Sequence, residues 1–167
     1  PVASSDILAH LLHEHQVGFV NRAVKATYET RAALVAGDAK VEIAKHTDLL
    51  TRYLLFADEV QLPSDGIGGD PDLKAHFLKN ARKTEQGVSL REFDLRTRLF
   101  KYRCSYMIHS AAFTGLPSPL QLAVLGRLHD ALNVQQNHPV GAHLRPAEKA
   151  AIHSILNSTL KPYARVK

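Results

Sequence analysis

The stretch SDILAHLLHEHQVGFVNRAVKATYETRAALVAGD, residues 5–38, decides the fold class. Its apolar residues return at helical spacing, which predicts one long helix from about Ser5 to about Val35. Ser4, Ser5 and Asp6 offer N-terminal caps, and Gly37 supplies a stop that tolerates left-handed backbone. A second helical pattern covers roughly Ala39 to Ala57, and the turn Ala36-Gly37-Asp38 between them is short enough to fold the two helices into an antiparallel pair.

Outward from that pair the pattern stays helical, with few β-branched alternations and no Asn-Gly hairpin signal. The Gly/Pro-rich segment 62–71, inside QLPSDGIGGDPD, reads as a loop. A short helix follows around Asp72 to Arg82, and KTEQGVS is a further loop. Leu95, Leu99, Tyr102, Tyr106 and Ile108 recur near helical spacing, so Asp94 to Phe113 is expected to form a buried helix, broken by Thr114-Gly115-Leu116-Pro117. Ser118-Pro119-Leu120-Gln121 combines a capping serine, a proline at the first helical position and a glutamine three residues on, and predicts a helix to about Leu132. NVQQNHPVGAHL is a loop, and Pro146 opens a last helix to about Leu160. The expectation is an all-α chain: a single helical domain over 1–167, an irregular bundle of about five or six helices around one core, with the C-terminal helices spanning 94–160.

Composition sets outer limits on function. The chain has 167 residues and 45% apolar content, enough for one core. Its net charge is +5, but Lys and Arg are spread along the chain without the clustered stripe that nucleic-acid binding requires. A mildly basic surface of this kind suits an acidic protein or a haem propionate. One cysteine, Cys104, excludes an internal disulfide, a self-contained CxxCH haem attachment and a cysteine-rich zinc site. No apolar run approaches the ~18 residues of a spanning helix. The chain opens on Pro1 rather than Met, so its start is expected to arise by cleavage or by choice of the expressed segment, with any signal peptide already gone.

HLLHEHQVGFVN, residues 10–21, holds the densest set of candidate ligands. On a helix His10, His13 and Glu14 share one side, while His15 points about 140° away from His10 and about 160° from His13. The three imidazoles therefore cannot close on one ion, and the HExxH zinc pattern is absent. A two-ligand site of His10 with His13 or Glu14 remains open beside a plain solvated face. His15 instead shares a face with Leu8, Leu11, Leu12 and Phe19, where an imidazole needs a hydrogen-bond partner or a metal. Gly18 lies one turn further on that side, and a mid-helix glycine asks for a packing reason: room for a planar group beside His15, or close helix approach.

A second constellation is DLRTRLFKYRCSYMIHS, residues 94–110, where Arg98, Tyr102, Ser105 and Tyr106 set polar groups on an apolar segment. Cys104 reads either as a nucleophile or as an ordinary buried thiol. Asp58 and Glu59 close the second helix against its dipole and call for cationic partners, with Arg98 or Arg96 as candidates.

SDILAHLLHEHQ with Asn21, YLLFADEVQLP, GVSLREFDLRTRLFKYRCSYMIHSAAFTGLP and LRPAEKAAIHSILNSTLKP, taken in that order, resemble the C-terminal helical region of secreted multihaem c-type cytochrome proteins of environmental bacteria. The resemblance runs from Ser5 to Pro162. It departs where this chain has Arg103 in place of proline, His109 in place of tyrosine and Arg145 in place of a capping serine. What it implies is a periplasmic or secreted setting and a partner, a c-type cytochrome domain or subunit, that carries haem c on another segment. His15 would be the distal ligand of the haem iron, Gly18 would leave room beside the porphyrin, and Gln16 or Asn21 would orient the ring. Arg22 or Arg98 would meet a propionate, with Tyr102 and Tyr106 nearby. Two other readings stand beside it: a helical binding or assembly module whose histidines are incidental, and a non-haem metal or thiol enzyme using His10, His13, Glu14 or Cys104.

Overall fold

In the computed structural model, which describes residues 6–136 and 138–166, the chain is an all-α bundle with no strand among those residues. The capping expectation for Ser4 and Ser5 lies outside them. Helix α1 spans Ile7–Ala36 and α2 spans Lys40–Leu54. Asp6 caps α1 by accepting the Leu8 N–H, and its other carboxylate oxygen accepts the N–H of Asp70, itself the cap of α3 (Pro71–Lys79). One aspartate thus fixes two helix starts together. At the far end of α1, Gly37 takes φ +83°, and the Asp38 N–H returns to the Ala33 carbonyl, satisfying groups that the helix leaves open.

The remaining helices are the single turn α4 (Ala111–Thr114), α5 (Ser118–Leu132) and α6 (Pro146–Thr159). Helix α2 packs against both α1 and α5, and α5 packs on α6. Leu50, Leu54, Leu120, Val124, Leu128, Ile152 and Leu156 form the buried seam between them. Helix α5 begins at Ser118, one residue before the sequence reading, and Gln121 spends its amide on the Phe113 carbonyl rather than on a capping box.

The segment expected to be a helix over 94–113 is not one. From residue 94 to Ser105 the backbone is a tight, bridged turn, and only a 3₁₀ turn at Tyr106–His109 and α4 are helical. The cause is local. The Asp94 carboxylate accepts the N–H groups of Arg96 and Thr97 and the Thr97 hydroxyl, offering the backbone a partner that competes with a helical ladder. Leu95 takes φ +62°, and Phe93 and Phe100 pair as an isolated antiparallel bridge. Of the apolar repeat that mimics helical spacing, Tyr106 joins an aromatic cluster with Phe77, Phe93 and Phe100, ring centroids 5.0–6.1 Å apart. The Gly/Pro loop docks on this turn through Leu62 N–H to Thr97 O and Ile67 N–H to Leu95 O. Gly66, at φ +70°, lies so close to the Leu95 carbonyl that a side chain there would collide with it.

An ionic clamp ties the turn to α6. Glu148, in the first turn of α6, accepts the Arg103 backbone N–H at 3.0 Å and its guanidinium at 3.1 and 2.6 Å, and Arg98 at 3.3 Å. Glu148 is largely buried, and the arginines hold its carboxyl below the usual range against the opposing effect of burial. Replacing Glu148 by Ala strands the partly buried Arg103 guanidinium, and urea unfolding should show a loss of ~2–3 kcal/mol. Removing the exposed Lys101, paired with Glu92, should cost no more than ~0.5 kcal/mol in the same assay.

Candidate functional site

His15 faces inward from α1 with 8% of its surface exposed. Tyr53 and Phe56, from the end of α2 and the turn after it, lie nearly parallel to its ring, with centroids at 5.4 and 4.9 Å. Phe100 and Tyr106 approach it edge-on or tilted at 5.8 Å. Its Nε2 lies 2.7 Å from the Ser105 hydroxyl. That hydroxyl accepts the Met107 N–H at 3.1 Å, and the Ser105 N–H donates to the Leu54 carbonyl. With Met107 N–H already donating to it, the Ser105 hydroxyl uses its own proton when it donates to Nε2, which puts the ring proton on Nδ1. Burial pushes the His15 pKa down from 6.5 to about 4, so the ring is neutral at physiological pH.

The aromatic turn is held under backbone strain. Phe56 takes φ +52°, rare for a bulky residue, with its N–H on the Tyr53 carbonyl and the Ala57 N–H on the Arg52 carbonyl. This conformation is what lays the Phe56 ring along His15. Gly18 is explained by the same neighbourhood. Tyr53 crosses α1 there, its hydroxyl donating to the His15 carbonyl at 2.9 Å, and any side chain at position 18 would run into that hydroxyl. Arg22 lies over the other part of Tyr53, 4.4 Å from the ring centre, and donates to the Gly18 carbonyl.

Together these residues wall a half-open cleft of about 420 Å³, with Leu11, His15, Tyr53, Phe56 and Leu99 as its apolar lining and Arg22, Arg52, Asp58 and Glu59 as its polar groups. Asp58, in the turn after α2, is ion-paired with Arg52 of that helix, not with Arg96 or Arg98. Glu59 is partly buried, which raises its pKa, with the Leu99 N–H and the nearby Arg98 and Arg103 acting against that rise. The cleft is chemically a mixed surface of aromatic rings, the Arg22 guanidinium, the Arg52–Asp58 ion pair and the Glu59 carboxyl group, suited to a flat, partly apolar guest.

The sequence-derived candidates separate on this geometry. His15 lines the cleft, and Gly18 supports it through Tyr53. Tyr106 touches His15 but opens on the opposite flank, where its hydroxyl accepts from Gln16 at 2.9 Å and Arg91 lies 4.9 Å from its ring centre. Asn21 is exposed, Arg98 is engaged with Asp94 and Glu148, and Tyr102 is half-buried beneath Lys101, so none of the three joins the cleft lining. His10, His13 and Glu14 lie on the exposed side of α1 and form no three-donor group. Cys104 is fully buried and its thiol is pushed up to about 12, which removes it as a nucleophile at neutral pH. Tyr53, Phe56 and Ser105 are the partners that periodicity could not assign to His15. The one available hint was the Tyr53/Phe56 spacing at a helix end. Set against protein families, curated proteins and solved structures, the chain matches none.

A neutral buried histidine makes stability depend on acid. Between pH 6.5 and about 4 the unfolded chain accepts a proton that folded His15 refuses, so its contribution is complete above pH 6.5 and is lost as pH falls toward 4. His109, also pushed down to about 4 by burial and by Arg82 and Arg91, acts in the same sense. Over that window His15 should remove ~3 kcal/mol. Urea unfolding at stepped pH should show the decline, and the double change His15→Phe with Ser105→Ala, which keeps the stack and removes both polar atoms, should flatten it by about half.

Proposed function

We propose that this domain is a non-catalytic packing module of a c-type cytochrome system, receiving the exposed edge of a haem carried by another segment or subunit. The observation that supports this reading is the cleft beside His15: near-parallel aromatic rings with the Arg22 guanidinium laid over one of them. The resemblance in sequence supplies the partner class, and a periplasmic or secreted setting belongs to the same proposal.

The residues fit a haem edge better than a haem iron. The Nε2 of His15 is bonded to Ser105 at 2.7 Å, and iron ligation through it would break that bond and strand the Ser105 hydroxyl in the core. The partly exposed rings of Tyr53 and Phe56 instead offer a surface for the porphyrin edge, and Arg22 a guanidinium for a propionate. Bound there, haem would supply electron transfer. This chain would exclude water from the haem edge and orient its carboxylates.

The reading is tested by titrating the chain with ferric protoporphyrin IX and following the Soret band. One-to-one saturation is expected, weakened ~10-fold or more by Arg22→Ala combined with Phe56→Ala. Retention of the saturated spectrum in His15→Ala is the mark of packing, while loss of a low-spin signal in that variant would reinstate His15 as a ligand. Binding indifferent to all three substitutions leaves a helical assembly module with no haem role.

A further inference from the structure

Away from the cleft, along the α1–α2 pair, three metal-ligating side chains converge. Glu29 comes from α1, and Glu42 and His46 stand four residues apart on one side of α2. The His46 Nε2 is 2.8 Å from Glu29 Oε2 and 3.4 Å from Glu42 Oε2, and one donor atom from each residue lies within 4.8 Å of the others. Among the described residues this is the one group of three or more histidine, cysteine or acidic side chains with donors so close. An ion held by nitrogen and oxygen at ~2.0–2.2 Å in tetrahedral geometry sets its donors roughly 3.3 Å apart, a spacing this set needs little movement to reach.

Two glutamates alone would be an ordinary surface ion-pair network. What distinguishes the site is the imidazole: His46 is only 2% exposed, and its ring is turned onto both carboxylates. A cation already stands there, since the Lys45 ammonium lies 3.0 Å from Glu29 Oε2 and 3.0 Å from Glu42 Oε2. Lys45 reaches that point on a side chain 46% exposed, so it can withdraw into water without repacking the helices.

We propose that Glu29, Glu42 and His46 bind a divalent transition-metal ion with affinity for imidazole, Zn²⁺ foremost, and that Lys45 occupies its place when the metal is absent. Two carboxylates and a neutral imidazole balance a divalent charge, and the solvent side leaves coordination positions for water. The imidazole nitrogen selects against Mg²⁺ and Ca²⁺, which take oxygen ligands. The site is independent of the haem reading.

Calorimetric titration of the full chain with Zn²⁺, with Mg²⁺ as the control, tests the assignment. One Zn²⁺ per chain is expected, with no Mg²⁺ heat at the same concentration. Glu29→Gln and Glu42→Gln, at partly exposed positions where the fold can be checked by circular dichroism, should each weaken binding ~10-fold or more, and His46→Gln should abolish it. Lys45→Ala should tighten it severalfold, a gain that a purely structural ion-pair network does not predict. Absence of saturable Zn²⁺ binding overturns the proposal, as does binding that survives Glu29→Gln with Glu42→Gln but disappears in His10→Ala with His13→Ala.

Discussion

The bond between the His15 imidazole and the Ser105 hydroxyl is the constraint on which the rest of this molecule is arranged. It joins the longest helix to the least regular segment, and it does so in the core, where each group left alone costs about 1–3 kcal/mol. Ser105 is held from both sides, its N–H on the end of α2 and its hydroxyl under the Met107 N–H. The position of one side chain therefore sets the relation of α1, the α2 terminus and the 94–110 segment. The aromatic rings packed around the imidazole follow from that relation.

Regular helices deliver the core, and irregular backbone delivers the cleft. Among the described residues the two non-glycine positions with positive φ, Phe56 and Leu95, sit in the two turns that flank this region. Such conformations cost of order 1–3 kcal/mol each and persist where surrounding contacts over-determine them. Phe56 is fixed by its stack on His15, and Leu95 by hydrogen bonds to Arg98 and from Ile67. Strain, burial of a titratable ring and a concave surface thus coincide. That coincidence marks this region more firmly than any single residue.

How much the sequence disclosed depended on whether local forces agreed with tertiary ones. Residues 7–36 were legible because capping, period and a C-terminal glycine all point the same way, and the inward placement of His15 followed from period alone. Residues 94–105 were not, because period 3.6 and the side-chain turn of Asp94 make opposite demands and the latter is nearer to the backbone. Gly18 was legible as a site of close approach but not as to what approaches, since the hydroxyl it admits comes from Tyr53, thirty-five residues on. The convergence of Glu29 with Glu42 and His46 was invisible for a similar reason. It requires the register of two helices, which no single-helix period contains.

The distance along the chain between His15 and Ser105 has a kinetic meaning. The α1–α2 hairpin can form from contacts close in sequence, whereas the imidazole must wait for a segment ninety positions away. Closing so large a loop carries an entropic cost before any contact rewards it, a cost that contacts within the α1–α2 hairpin do not bear. Until the loop closes, His15 lacks the Phe100 and Tyr106 rings that pack against it from that same distant segment.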